Sequence, residues 1–126
     1  MTPDEFRALA LSLPGVEEKS HQGHADFRLR GKIFATLGYP HEGCGMVKLS
    51  GEEQAKRVAQ GNAVFAAAKG AWGEQGSTLV KLESATQAVV LAAIRAAWER
   101  LVREEAAVKD KQSTRRSIVR PKRTKI

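Results

Sequence analysis

The chain has 126 residues, 42% hydrophobic and 28% charged, an ordinary globular mix sized for one domain. No apolar run approaches the ~20 residues of a membrane-spanning helix, which excludes a helical membrane protein. The net charge of +7 is confined to one end: residues 1–106 hold 13 Lys+Arg and 13 Asp+Glu, whereas residues 107–126 hold 8 basic residues and one acid, Asp110. The body is therefore not a globally basic nucleic-acid binder, and any anion site on it must be a local patch.

The opening residues, MTPDEFRALALSLPG, lack the basic start and long apolar stretch of a secretory signal. Thr2-Pro3-Asp4-Glu5 instead opens a helix: a Thr cap, Pro at the first helical position, and Glu three residues after the cap. Phe6, Leu9, Ala10 and Leu13 recur at helical spacing, and the helix stops at Pro14-Gly15. The period then changes to two. Residues 17–20 read as a short edge strand, and 25–29 and 32–37 as a hairpin turning near Arg30-Gly31. Residues 45–49 (GMVKL) make a further strand. Ser50-Gly51-Glu52-Glu53 opens a second helix near 51–60, weakly apolar and expected on the surface. Residues 78–82 (TLVKL) form the last strand. Ser84-Ala85-Thr86-Gln87 opens a third helix, with Val90, Ile94, Ala97, Trp98 and Leu101 on one stripe, reaching about residue 106. Helices and strands are segregated, which predicts an α+β fold: an antiparallel sheet with helices packed on one face. Residues 1–106 form this domain, and 107–126 read as a basic flexible tail, rich in charge and without an apolar stripe.

Several blocks together carry a family resemblance. LPGVEEKSHQGHADFRLRGKIFATL, GMVKLSGEEQ and GAWGEQGSTLVKL, followed by a Trp-containing last helix, resemble the MmcQ/YjbR family over roughly residues 3–103. The resemblance implies a CyaY-like α+β sandwich, also described as a double wing, with helices on one side of a sheet. It also implies a DNA-binding-like role, a label that rests on shape. The basic tail departs from the family pattern, so nothing carries over to it.

The charged positions of FRLRGKIFATL raise the main candidate site. Arg28 and Arg30 fall on the opposite side of their strand from Phe27 and Leu29. A two-residue turn at Arg30-Gly31 sets Phe27 opposite Phe34 and Leu29 opposite Lys32, whereas a three-residue turn sets Leu29 opposite Ile33; the sequence leaves both open. In either register Arg28, Arg30, Lys32, Lys48 and Lys81 lie on or rim one exposed sheet face, where they would hold phosphate oxygens without reading bases. The competing reading is a solvated face whose charges keep the sheet soluble.

Trp72 sits among Gly70, Gly73 and Gly76 in KGAWGEQGS. An exposed Trp there would stack on a base or wedge into a duplex, and a tucked one would close a loop over the core. The segment matches neither nucleotide-binding glycine fingerprint and is read as opening no helix. His21-x-x-His24 and His41-x-x-Cys44 have zinc-like spacing, but they fall on a strand border and in a loop, so no metal site is expected. His41 and Cys44 alone do not make a nucleophile with an oriented base, and no cofactor or enzymatic activity is expected. Cys44 is the only cysteine, which fits a reducing cytoplasm. The tail, with Arg115 and Arg116 at its centre, would add nonspecific affinity by counterion release. The expectation is a monomeric, cytoplasmic, bacterial-type module binding DNA without sequence preference and with no membrane partner. The alternative is a protein- or small-ligand-binding module that uses the same sheet face and has no DNA role.

Overall fold

The computed structural model describes residues 1–39, 41–60 and 63–124, with side chains as far as Val108. Helix α1, Pro3–Leu11, begins as its sequence dictates: the Thr2 hydroxyl accepts from the Glu5 amide and the Glu5 carboxylate accepts from the Thr2 amide. Phe6 and Ala10 are its buried face. Strands β1 (Val16–His21), β2 (His24–Leu29), β3 (Lys32–Leu37) and β4 (Cys44–Lys48) follow. Then come helix α2 (Gly51–Ala59), strand β5 (Phe65–Ala67), the short helix α3 (Gly70–Glu74), strand β6 (Ser77–Lys81), a 3-10 turn at Leu82–Ser84 and helix α4 (Gln87–Thr124). The six strands form one antiparallel sheet in the order β1-β2-β3-β4-β6-β5.

The pleat sorts the side chains between two faces. Phe27, Leu29, Ala35, Val47 and Val80 share the face covered by α1 and α4, where they join Phe6, Ala10, Val90, Ala93, Ile94 and Ala97 in the core. The opposite face carries Asp26, Arg28, Ile33, Thr36, Met46, Ser77 and Leu79 and has no long helix over it. Gly45 lets α1 approach the sheet, since a Cβ there would stand 2.7 Å from the ring of Phe6. Helix α2 lies by the β5 edge without burying a side chain, as its weak apolar pattern implied.

The central hairpin combines both registers that the sequence left open. Arg30 and Gly31 both have positive φ (51° and 82°), the backbone of a two-residue turn whose twist suits paired strands, and Leu29 faces Lys32. Beyond Arg28↔Ile33 the register slips, so that Phe27 faces Ala35 and Phe34 is the extra residue of a bulge. The slip lets Phe27 and Phe34 both enter the core rather than face each other across the strands.

Three local expectations need correction. The cap of α4 is Thr86, whose hydroxyl accepts from the Val89 amide, because Ser84 is taken up in the 3-10 turn. Gln87, the expected capping partner of Ser84, donates instead to the Glu5 carboxylate of α1. The glycine-rich segment around Trp72 forms α3 rather than open loop. Helix α4 is described as far as Thr124, beyond the residue near 106 where its apolar stripe was expected to end and into the segment read as a flexible tail. The side chains of 109–126 lie outside the described residues, and with them the roles given to Arg115 and Arg116.

Candidate functional site

The open face is built up from a buried carboxylate. Asp26, with no exposed surface, accepts two hydrogen bonds from Arg28 (Nε to Oδ1 2.7 Å, a terminal nitrogen to Oδ2 3.0 Å). The same Oδ2 lies 2.7 Å from His21 Nδ1. The Arg28 guanidinium, helped by His21 and opposed by burial, holds the Asp26 carboxyl below its ordinary range. An ionised carboxylate only accepts, so Nδ1 of His21 carries a proton and donates it to this bond. Arg28 is thus engaged by Asp26, two residues before it on the same strand face, and its own ionisation is pushed upward in return.

The other cations of the hairpin part company. Arg30, on the turn, reaches round the sheet to Glu105 of α4 at 2.8 Å. Lys32, level with Leu29, stands on the helix side, where it borders a cleft with Arg100 and Glu104 of α4. Lys48 ends β4 and borders both that cleft and the open face, and Lys81 follows the pleat of Cys44 and Met46 onto the open face. Neither Lys48 nor Lys81 has a carboxylate partner among the described residues. The expectation of one uncovered flank carrying all five cations is therefore not met: Lys48 and Lys81 lie on the open face, whereas Lys32 stands on the helix side. Nor does it hold for Arg30, which α4 claims through Glu105, and Arg28 is on the face but already paired. Lys19, level with Asp26 on β1, adds a cation that the sequence reading passed over.

A short aromatic row overhangs this face. Trp72 on α3 is 55% exposed, and its ring meets Tyr39 edge-on at 6.0 Å between centroids. Tyr39 in turn meets His24 edge-on at 5.6 Å. The local backbone fixes α3 in place. A Cβ on Gly73 would stand 1.8 Å from the Ala68 carbonyl oxygen, so only glycine permits the chain to fold back so tightly there. The Gln54 amide of α2 ties α3 to β6 by donating to the Gly73 and Ser77 carbonyls.

Beneath the row lies a cavity of about 280 Å³. Its walls are Trp72 of α3 and Gln75 just beyond it on one side and the β1–β2 turn with His21 and His24 on the other. Thr36 and Met46, paired across β3 and β4, lie between them on the sheet. Sequence reading singled out Trp72, His21, His24 and Lys48 from this group but missed Tyr39, Gln75 and Thr36. The register left open in β3 left the face of Thr36 open too; the bulge at Phe34 sets it level with Asp26, and nothing in the sequence said that α3 would roof it.

The two His/Cys pairs do not converge. His21 is spent on Asp26, while His41 Nε2 lies 3.3 Å from Cys44 Sγ. Among the described residues no three His, Cys, Asp or Glu side chains gather as metal ligands. Burial raises the Cys44 thiol above its ordinary range, with Lys81 opposing, so at neutral pH the S–H is intact and lies against His41 Nε2 rather than acting as a nucleophile. The pair is a packed contact, not an activated thiol.

The sequence profile of the YjbR family matches residues 11–100. No curated protein matches the chain at a significant level. The matched span includes every residue of the cavity and of the cationic positions described on the sheet.

Proposed function

Because the chain belongs to the YjbR family, we propose that it binds nucleic acid, meeting DNA with the open face of its sheet. The observation that carries this reading is the pairing of an exposed indole with uncompensated cations: Trp72 stands over the face on which Lys48 and Lys81 lack carboxylate partners among the described residues. Ammonium groups of this kind hold phosphate oxygens by charge and carry no sequence information, while an aromatic ring adds stacking on any base. In this reading Lys48 and Lys81 take phosphates. Arg28 serves the face indirectly by stabilising Asp26. Arg30 joins only by exchanging Glu105 for a phosphate, a change its exposed ion pair resists weakly. The tail, with Arg115 and Arg116, supplies nonspecific affinity.

The cavity favours a second reading, a small-ligand- or protein-binding module on the same face without a DNA role. A salt series separates them. Full-length protein, residues 1–106 and the Lys48→Ala/Lys81→Ala double variant are titrated with duplex DNA. Each phosphate contact contributes a slope of about −0.9 in log K against log salt, so the double variant flattens the slope by roughly 1.8, and removal of the eight tail cations by up to about 7. The body alone retains weak, salt-dependent binding. Complete loss of binding on truncation, or a double variant indistinguishable from wild type, rejects the sheet face as a DNA surface.

A further inference from the structure

The polar groups around the cavity are unusually unspent. Thr36 is 8% exposed, and its hydroxyl is buried with no hydrogen-bond partner among the described residues. Ser77, at 7% exposed, and Gln75 make no side-chain hydrogen bond there either, and Lys48 has no ion pair. A buried hydroxyl without a partner is costly, and native interiors leave few of them. Here one such hydroxyl, that of Thr36, lines the same space as Ser77 and the exposed Gln75 and Lys48, beside an indole whose ring contact with Tyr39 is edge-on. An edge-on contact leaves a face of the indole free for a planar partner.

We propose that this cavity receives a single nucleotide unit: the base enters against Trp72, and its phosphate lies at Lys48. The size fits one planar ring system. At about 280 Å³ the cavity falls just under the ~300–1,000 Å³ of sites that enclose drug-sized ligands. The lining fits the chemistry of a base edge. Gln75 donates and accepts, Thr36 and Ser77 do the same through hydroxyls, and His21, oriented by Asp26, has Nε2 left over. Met46 and Ile33 supply apolar contact for the ring. A base paired in a duplex presents neither its face nor its Watson–Crick edge, so the cavity selects unpaired nucleotides. The inference rests on the nucleic-acid reading of the open face and narrows it to single strands. A free nucleoside monophosphate offers the same chemistry, and the experiment distinguishes that source.

The test uses the full chain and three probes: thymidine 5′-monophosphate, a short oligothymidylate strand, and the same strand annealed to its complement. Binding is followed by fluorescence quenching, with Trp72→Phe separating the signal of Trp72 from that of Trp98, and by anisotropy of labelled strands. The expected result is that the single strand binds at least roughly tenfold more tightly than the duplex, and that Trp72→Ala removes about that factor. Thr36→Val, which keeps the shape and deletes the unsatisfied hydroxyl, weakens single-strand binding by roughly three- to tenfold without lowering the melting temperature. That combination would not arise if Thr36 were merely structural. Trp72-dependent binding of the monophosphate with none of either strand supports the cavity as a nucleotide site and removes the DNA reading. Equal affinity for strand and duplex, unaltered by Trp72→Ala and Thr36→Val, overturns the inference while leaving nucleic-acid binding intact. No Trp72-dependent signal with any probe also overturns it.

Discussion

Replacement of Asp26 by Asn tests whether the open face is organised from beneath by one buried carboxylate. Asn keeps one oxygen to accept from Arg28 Nε. It places an NH2 where Oδ2 now accepts from both the Arg28 terminal nitrogen at 3.0 Å and His21 Nδ1 at 2.7 Å. Two charge-assisted bonds are lost, and a donor is set against donors. Removing a hydrogen bond to a charged group costs about 1.5–3 kcal/mol. Arg28 and His21 side chains are 24% and 45% exposed, so water re-solvates the released donors and the two losses do not add in full. The net cost to Asp26→Asn is then about 2 kcal/mol, or very roughly 6–10 °C of melting temperature for a domain of this size. The pH dependence supplies the sign. The folded-state pKa of Asp26 is lowered from its ordinary value of 3.8, first by the Arg28 bond. Its contribution is therefore fully present above about 3.8 and is lost as pH falls through the depressed folded value. Urea unfolding of both proteins at neutral pH and at progressively acid pH should show a gap that closes below about pH 3.8. A variant as stable as wild type at neutral pH, or a gap that persists unchanged in strong acid, would refute the reasoning.

Two other outcomes follow from the same geometry. Gly73→Ala drives a methyl into the Ala68 carbonyl oxygen, 1.8 Å from the ideal Cβ position, so α3 must shift; melting should fall by the equivalent of about 1–3 kcal/mol, and strand binding through Trp72 should weaken along with it, as paired calorimetry and anisotropy would register. Cys44, 3% exposed and with its thiol pKa raised by burial, should react slowly with a thiol reagent in the folded protein at neutral pH and rapidly in denaturant; fast reaction of the folded chain would contradict the assignment of an inert thiol.

Much of the architecture was legible because it rests on local rules. Thr2 and Glu5 announce α1 through a reciprocal cap that needs no tertiary partner, and alternation in 25–29 and 32–37 gives strands whose apolar residues must share a face. The hairpin turn was legible too, whereas the bulge at Phe34 was not. It arises because the core accommodates both phenylalanines, a tertiary preference that no pattern of period two expresses. The candidate site was read less well, for a reason that applies to Arg28 and Arg30 alike. Alternation fixes the side of the strand on which a charge lies but says nothing of the carboxylate waiting there. Asp26 is two residues from Arg28 and was in plain view, and the i, i+2 spacing on a strand was the signal that identified it as a partner. Glu105 is 75 residues from Arg30, and only the packing of α4 brings it near. The cavity was the least legible feature, since it exists only where α3 folds over Thr36 and Met46.

The central claim is that the open face of the sheet, and not the α1/α4 face or the tail alone, meets nucleic acid. Amide chemical-shift mapping of the full-length protein titrated with an oligothymidylate strand tests it most directly. The account predicts perturbations centred on Thr36, Met46, Lys48, Trp72 and Ser77, with α1 and the sheet-facing residues of α4 unmoved. Perturbations confined to the helices, or to residues beyond 108, would contradict it.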